Sequence, residues 1–526
     1  MDFRIKLAGV AVLILFLAVS ASAGTDLCYQ YASQGQYGKA ISACTSQINS
    51  GKYNAGNLAV LYNTRGNAYE QVRNYALAMR DYNKAIGLNP AYALAYNGLG
   101  NVLSDKGQYD LAVSEYSKAI KLDPSYAYSY NGRGNAYSAK GQYDQALADF
   151  SKAIELMPSY AQAYGNRGVI YYNKGRYDKA INDADKAIRL NPSYAEAYVT
   201  RGNSYNAKDR YNLAIADFNK AIELNPSADA YNGLGNAYRQ KGQYDQAITS
   251  YTKAINLNPS NPAPYFNRGI IYREKGQHDL AIAGFNKAVE LNPSFASAYA
   301  ELCTAYYDMG RYDVAIADCG KAIRLNPPAE NIYVTRGKAY NANGQFDLAA
   351  ADFNKAIVMA PSDASLYFNL GAAYYYGGLY EKAAGSFRRA VALEHNRAQN
   401  DLDRIWLLLS YRHFSNDKAV EDFNKLGTYV NANPSGGWAR NILKYFLGQT
   451  AQEGLFTGAR QGKNKQDISD RLCQAYYYAG EEMMWEGKQA KARKFFQKSI
   501  DSLKSHQADY VEYEAAKVML KKTGGK

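Results

Sequence analysis

Proline sets the period of this chain. Nine of its 13 prolines, Pro90, Pro124, Pro158, Pro192, Pro226, Pro259, Pro293, Pro327 and Pro361, recur at a spacing of 34 residues, interrupted by one spacing of 33. The lost residue falls in the turn after Pro226, where Ser227–Tyr231 stands in place of the longer Ser193–Tyr198. A deletion confined to a turn leaves the flanking segments in phase. A fixed period of this length marks stacked supersecondary units, each of which needs its neighbours to bury its apolar faces.

Each period reads as two helices. Between Ala127 and Pro158, Tyr130, Gly134 and Tyr137 recur at helical spacing until Lys140-Gly141-Gln142-Tyr143 breaks the run. Gly141 fits the left-handed position that ends a helix. The second helix carries Ala146, Phe150 and Ala153 on one face and stops at Pro158. Small residues let neighbouring backbones approach, and the aromatics fill the gaps between units.

This pattern resembles the tetratricopeptide repeat (TPR), whose signature residues fall on Tyr130, Gly134, Tyr137, Ala146, Phe150, Ala153 and Pro158. Ten such units start at Ala59, Ala93, Ala127, Ala161, Ala195, Ala228, Pro262, Ala296, Glu330 and Ala364. A degenerate unit that keeps Tyr31, Tyr37, Ala40 and Cys44 in phase precedes them. The resemblance covers about residues 25–397 and implies an all-α, right-handed superhelical solenoid. The last unit has His395 where the others have proline, which marks the end of the array. Beyond it lie all three tryptophans, Trp406, Trp438 and Trp485. Helices are expected there near 400–412, 417–431 and 438–447, with a turn at Pro434–Gly437. A TPR-like hairpin carrying Tyr476, Gly480, Gly487, Ala492 and Phe496 follows, then a closing helix over 509–522. The expected organisation is a secretory signal at 1–23, a degenerate hairpin at 24–58, a solenoid of ten repeats at 59–397 and a helical capping region at 398–526. Three stretches of this tail resemble the NlpI family of bacterial TPR lipoproteins: Arg404–Leu407, Trp438–Ile442 with Phe446-Leu447-Gly448, and Val511-Glu512-Tyr513.

The first residues read as an export signal. Arg4 and Lys6 form a positive start, Leu7–Val19 an apolar run, and Ala21-Ser22-Ala23 a small-residue cleavage site. The run is too short to span a bilayer, which takes about 20 residues. Thr25-Asp26-Leu27 does not match the small-residue triplet that precedes a lipidated cysteine, so Cys28 is not read as a lipid anchor. The expected product starts at Gly24, is periplasmic or secreted, and is not integral to the membrane.

Catalysis finds little material. The chain has 4 His and 5 Cys, and it lacks a phosphate-binding glycine loop, H-E-x-x-H, G-x-S-x-G and C-x-x-C. His278 takes the slot that holds Tyr143 or Tyr177 in other repeats. The reading is of a protein that is not an enzyme and needs no metal or cofactor. Cys28 and Cys44 are separated by the same interval as Cys303 and Cys319, at the same two repeat positions, one on each helix. In an oxidising compartment that coincidence predicts two disulfides within hairpins. Cys473 has no counterpart.

Charged residues recur in register as well. Arg65, Arg133, Arg167, Arg201 and Arg336 are followed at a constant interval by Asp81, Asp149, Asp183, Asp217 and Asp352. Where the Arg is Leu234 or Leu370, the partner is Ser250 or Ser386. Arg268 with Gly284 and Leu302 with Asp318 break the rule. Covariation within one chain predicts an ion pair inside each hairpin, with the modest energy of surface pairs. Lys84, Lys118, Lys152, Lys186, Lys220, Lys253, Lys287, Lys321 and Lys355 recur on the second helix. Lys106, Lys140, Lys174, Lys208, Lys241 and Lys275 recur at the end of the first, where a cation favours the helix dipole. These rows account for much of the net charge of +13 and read chiefly as a solvated face. They also offer attraction to acidic surfaces, anionic glycans or lipid headgroups. Export argues against nucleic acid as a partner.

Asparagine gives the binding-site candidates. Asn63 and Asn67, Asn97 and Asn101, and Asn131 and Asn135 are pairs one turn apart on successive first helices, and Asn203 and Asn236 continue one row. Asn is a mediocre helix former, so its repeated use inside helices calls for a reason. In TPR proteins this face lines a concave groove, and a similar asparagine ladder in O-GlcNAc transferase holds an extended peptide backbone. Amides both donate and accept, which suits backbone pairing. By this resemblance those eight residues are candidate peptide-binding groups. Tyr172, Tyr307, Tyr375 and Tyr376 are candidate stacking partners for peptides or sugars. The other reading, that Asn at the second position is ordinary TPR packing, stays open. The positions that form a carboxylate clamp in chaperone-binding TPRs hold Asn63, Asn97, Asn131, Gly98, Gly132 and Asn166, so no such clamp is expected. The expected function is an exported scaffold or adaptor in the bacterial cell envelope that binds an extended peptide or partner protein in its groove. The NlpI resemblance implies envelope proteases or peptidoglycan hydrolases as partners. The alternative is a structural scaffold in polysaccharide export or outer-membrane assembly, with glycans as partners.

Overall fold

The computed structural model describes residues 26–325, 330–394, 397–413, 417–432, 437–503 and 511–524. The export signal assigned to 1–23, Pro327, His395 and most of the turn at 434–437 lie outside them.

One hairpin shows why the chain folds back at each period. The first helix runs over Ala127–Ala139. Gly141 then takes φ +72°, and the amides of Gly141 and Gln142 return to the Ser138 and Tyr137 carbonyls at 2.9 Å each. That left-handed residue satisfies the last carbonyls of the helix and reverses the chain. Most other hairpins place glycine at this point; Arg73 and Asp209 hold it at φ 59° and 57° without that freedom. The second helix spans Tyr143–Leu156, and Met157 leaves it with φ −135° and ψ 85°, the extended form imposed by the following Pro158.

The chain divides between Leu257 and Asn258 into two compact units. The first contains seven hairpins: α1 (Asp26–Ser33) with α2 (Tyr37–Asn49), α3 (Ala55–Gln71) with α4 (Tyr75–Leu88), α5 (Ala93–Asp105) with α6 (Tyr109–Leu122), α7 (Ala127–Ala139) with α8 (Tyr143–Leu156), α9 (Ala161–Asn173) with α10 (Tyr177–Leu190), α11 (Ala195–Ala207) with α12 (Tyr211–Leu224), and α13 (Ala228–Gln240) with α14 (Tyr244–Leu257). Helix α3 starts four residues ahead of the expected Ala59, because Asn54 caps it by accepting from the Asn57 amide at 2.9 Å. In this unit the first helices from α3 to α13 pack side by side as a continuous layer, and each second helix lies between two of them.

The second unit continues with α15 (Pro262–Glu274) and α16 (His278–Leu291), α17 (Ala296–Asp308) and α18 (Tyr312–Leu325), α19 (Glu330–Ala342) and α20 (Phe346–Met359), and α21 (Ala364–Tyr376) and α22 (Tyr380–Leu393). Then come α23 (Arg397–Arg412), α24 (Asp417–Ala432), α25 (Trp438–Phe446), α26 (Gln452–Ala459), α27 (Lys465–Trp485), α28 (Gln489–Ser502) and α29 (Val511–Lys522). The sequence reading did not anticipate α26, whose short apolar run of Leu455, Phe456 and Ala459 is interrupted by Gly454 and Gly458. No described helix is long and apolar enough to cross a membrane.

An aromatic ring on the second helix locks most of the regular hairpins; α10 has Ala184 and α18 has Cys319 at that place. Tyr82, Tyr116, Phe150, Phe218 and Tyr251 are buried in the first unit, and Phe285, Phe353, Phe387 and Phe496 in the second. Each lies on a glycine of its own first helix. A Cβ added to Gly66, Gly100, Gly134, Gly235, Gly269, Gly337, Gly371 or Gly480 would come within 2.8 Å of a ring carbon. Tyr82, Tyr116 and Phe218 also press on Gly98, Gly132 and Gly233 of the following hairpin, at 2.5, 2.5 and 2.4 Å from such a Cβ. The ring is thus shared by two units. Cys303 and Cys319 occupy the glycine and ring positions of their hairpin, as do Cys28 and Cys44 in α1 and α2. Their Cα atoms are 5.1 and 4.8 Å apart, within bridging range, and all four are buried.

The Arg–Asp pairs form, but inside the protein rather than at its surface. Arg65 and Asp81 are 8% and 0% exposed and bond twice, at 2.6 and 3.0 Å. Arg133, Arg167, Arg201 and Arg336 repeat the fork on Asp149, Asp183, Asp217 and Asp352. The bonds to Asp149 raise the basicity of Arg133. The third guanidinium nitrogen reaches back to Thr45, Ser117, Ser151 or Asp185 on the preceding second helix. The expected surface-strength energy therefore needs correction: stranding one partner of a buried pair costs about 3–5 kcal/mol. Ser250 and Ser386, which replace Asp where Arg is absent, bond to their own helices at Gln246 O and Lys382 O.

In the second unit the C-terminal helices cover the last regular repeat. Trp406 of α23 is fully buried and meets Phe368, Tyr375 and Tyr376 of α21 edge-on, at 6.2, 5.3 and 6.0 Å between centroids. Glu481 of α27 accepts from Tyr375 and Tyr477 at 3.1 and 2.8 Å, and Lys522 Nζ of α29 donates to the Tyr376 carbonyl at 2.9 Å.

Gly132→Ala should lose about 1–3 kcal/mol by overpacking on Tyr116, seen as a lower urea midpoint and faster amide exchange in α6 and α7. Gly87→Ala, on an open face with nothing within 4 Å, should be neutral or stabilising. Protein denatured without reductant should take up iodoacetamide at Cys473 alone; labelling at Cys303 or Cys319 would show that pair to be open.

Candidate functional site

The first-helix layer of the first unit holds all eight candidate asparagines, and the structure sorts them into three groups. Asn63, Asn97 and Asn131 lie within the layer at 6–8% exposure. Asn97 Oδ1 accepts from Ser129 of α7 at 3.0 Å, and Asn131 Oδ1 accepts from Asn166 of α9 at 3.0 Å. Ala95 stands at the matching place beside Asn63, whose Oδ1 is buried without a partner. Asn97 and Asn131 thus join first helices to one another, and all three amides are withdrawn from solvent.

The outer row divides by the ring that lies behind it. The hydroxyls of Tyr82, Tyr116 and Tyr251 donate to Oδ1 of Asn67, Asn101 and Asn236 at 2.8, 2.8 and 2.7 Å. These are the rings that rest on Gly66, Gly100 and Gly235, each the residue just before the asparagine. Behind Asn135 and Asn203 the rings are Phe150 and Phe218, which bring no hydroxyl. Both amides are partly exposed, as are Asn101 and Asn236, while Asn67 is more exposed than any of them; neither makes a side-chain hydrogen bond to a described residue, and Asn203 Oδ1 lies beside Gly233 of α13.

A carboxyl that the sequence reading passed over completes one end of the row. Glu70 lies 2.6 Å from the Tyr82 hydroxyl, and Asn101 Nδ2 donates to it at 3.4 Å. Burial pushes its carboxyl up to about 7, helped by the charge of Asp105 and opposed by the bonds from Tyr82 and Asn101. One phenolic hydrogen cannot serve both Asn67 and Glu70. The hydroxyl lies within donating reach of either, so Asn67, Tyr82, Glu70 and Asn101 form one connected set of polar contacts. Asn206, also unremarked in the sequence, donates to the Gly233 carbonyl at 3.1 Å. The signal for the hydroxyl contacts was present as the choice of Tyr or Phe fifteen residues after each asparagine.

Other expectations meet the structure differently. Tyr375 and Tyr376 are 2% and 4% exposed beneath Trp406, so they cannot stack on a ligand. Tyr172 and Tyr307 remain partly exposed beside Tyr177 and Tyr312. Lys140, Lys174 and Lys208 pair with Asp110, Asp144 and Asp178 of the preceding hairpin. Lys118, Lys152 and Lys220 pair with Glu115, Glu155 and Glu223 on their own helices. The first-helix lysines thus link hairpins, while those of the second helices pair along their own helix and stay largely exposed.

Sequence comparison agrees with this architecture. Models of the TPR repeat match residues 100–141, 134–175, 235–272 and 337–378. Models of the tetratricopeptide repeat match 161–194, 195–227 and 262–295, and also 59–92 and 296–328. Together they cover more than half of the chain, which belongs to the tetratricopeptide-repeat family. No curated protein gives a significant match. Among solved structures, the chain is similar to YrrB, described as a TPR protein with an unusual peptide-binding site. The identity is 28%, over 35% of this chain and 95% of that one, with a TM-score of 0.30. It is also similar to the Cut9–Hcn1 hetero-tetramer of the APC/C, at 15% identity over 80% of this chain and 95% of that one, with a TM-score of 0.38. The third is Pseudomonas aeruginosa pilF, at 20% identity over 38% and 92% with a TM-score of 0.36.

Glu70 gives the site a pH signature. Its carboxyl has an ordinary value of 4.5 and titrates near 7 in the folded chain. The folded state therefore keeps a proton that the unfolded state has released across that window. The contribution to stability is full below the lower value and is lost as pH rises through the upper one. Glu70→Gln should flatten this slope, as read from urea midpoints measured across the window.

Proposed function

We propose that this TPR protein is an exported scaffold that holds an extended peptide, or an extended segment of a partner protein, on the first-helix face of its first unit. The observation that supports this is the pair of amides at Asn135 and Asn203 with no side-chain hydrogen bond to a described residue, in a row whose other members each accept from a tyrosine hydroxyl. A primary amide offers one acceptor and two donors in one plane, the complement of a peptide unit. The two buried cysteine pairs, at bridging distance, favour an oxidising setting, in keeping with the signal-like residues 1–23. In this reading the chain acts as an adaptor in the bacterial cell envelope. Its NlpI-like tail favours envelope proteases or peptidoglycan hydrolases as the proteins it serves. The polysaccharide-export reading has less support, because several of its lysines are paired and Tyr375 and Tyr376 are buried.

The test is a random dodecapeptide phage library panned on the full chain. Enriched peptides should bind Asn135→Ala/Asn203→Ala about tenfold or more weakly, the loss expected from two hydrogen bonds, with the circular dichroism spectrum unchanged. Failure to enrich any peptide, or equal binding by the double variant, would remove the reading.

A further inference from the structure

We infer that the buried ring on the second helix decides which amides of the face can take a ligand, so that tyrosine closes a step of the ladder and phenylalanine opens it. The inference rests on the peptide-binding reading and adds to it a residue that never touches the ligand. The ring has no freedom to avoid this role. It is pressed on the glycine one residue before the asparagine, 2.8 Å or less from where a Cβ would stand at Gly66, Gly100, Gly134 and Gly235 and 3.0 Å at Gly202. Its para position therefore falls beside the amide whether or not an oxygen is attached. With the oxygen, the hydroxyl donates to Oδ1 and fixes the amide plane, as at Asn67, Asn101 and Asn236. At Asn101 the nitrogen is engaged as well, toward Glu70. Without the oxygen, at Asn135 and Asn203, Oδ1 accepts nothing from the ring behind it and the amide plane is not fixed by it, so the difference from Asn67 and Asn236 lies at the acceptor, the Nδ2 donors being left by the hydroxyl in every case.

The open steps also define the ligand. They lie on α7 and α11, with α9 between, and packed helices sit about 8–10 Å apart. Two such intervals correspond to roughly five or six residues of extended chain at about 3.3 Å each. The intervening step carries Val169 and, one turn on, Tyr172, with Ala184 where the ring would be. The ligand is accordingly an extended peptide held by its backbone at both ends of a short segment, with an apolar side chain between the two holds.

The probe is the set of dodecapeptides enriched on the full chain. Phe150→Tyr/Phe218→Tyr adds one oxygen behind each open amide and should weaken these peptides about as far as Asn135→Ala/Asn203→Ala does, roughly tenfold or more. Tyr116→Phe makes the opposite one-atom change at the same ring position and should not weaken them. Wild-type affinity in the double tyrosine variant, with binding still lost in the double alanine variant, would overturn ring control and leave the peptide reading standing. An equal loss in Tyr116→Phe would also overturn it, because packing and not the hydroxyl would then be at work. Absence of any enriched peptide would overturn both. If the double variant unfolds, the single variants Phe150→Tyr and Phe218→Tyr carry the same test, each with a smaller loss, and wild-type affinity in both would count against the inference.

Discussion

A ring pressed against bare backbone holds these hairpins together. Burying an aromatic side chain removes some 150–250 Å² from water, and the contact is made only if the facing helix presents no side chain. Glycine at Gly66, Gly100 or Gly134 supplies that absence. Because Tyr82, Tyr116 and Phe218 also press on the next hairpin, one ring sets both the spacing within a unit and the step to its neighbour. Alanines at the other contacts, such as Ala146 and Ala153 of α8, keep the remaining backbone distances short. The 34-residue period is the length of chain needed to bring the next glycine under the next ring.

The polar interior is built around this packing. Arginine, and not lysine, suits the pair with aspartate because its planar fork makes two parallel bonds and still has a nitrogen to spare. That nitrogen reaches the preceding hairpin at Thr45, Ser117, Ser151 or Asp185. Tyr62 and Tyr69 flank the Arg65 guanidinium at 5.4 and 5.9 Å, and the pattern recurs around Arg133 and Arg167. Such a cluster adds little net energy when intact, but it strongly penalises any arrangement that strands the charge. It therefore enforces register more than it adds stability.

The repeat was legible because one residue class fills one position many times: proline at the turn, alanine and a ring on the second helix, glycine under the ring. The first repeat begins at Ala59 as the period places it, while α3 itself starts earlier, at Ala55, because one side chain, Asn54, caps it there. The short helix α26 escaped notice because its apolar run is too brief and too glycine-rich to show a period. The row of asparagines was legible as one face of the first helices, but its hydrogen bonding was not. Asn97 and Asn101 look alike in the sequence, yet the first bonds to Ser129 across the layer and the second to Tyr116 within its hairpin. Hydrogen-bond partners separated by a whole repeat follow from packing, and periodicity alone does not report them. Tyr375 and Tyr376 were misread for the same reason, since Trp406 covers them from a region outside the repeat.

The cysteine pairs show what happens when the ring is given up. A ring wedge is worth most when a neighbour supplies its second glycine, so its energy belongs partly to the adjoining unit. A covalent link across the same slot belongs to one hairpin alone. Closing a loop of about 15 residues restricts the unfolded chain by about 3 kcal/mol, whatever lies alongside. The pair in α1 and α2 sits in the hairpin with the fewest described neighbours, and the pair in α17 and α18 sits in a unit otherwise bound by rings. A link across that slot keeps the two helices of its own hairpin together whether or not the neighbouring hairpins stay packed on it.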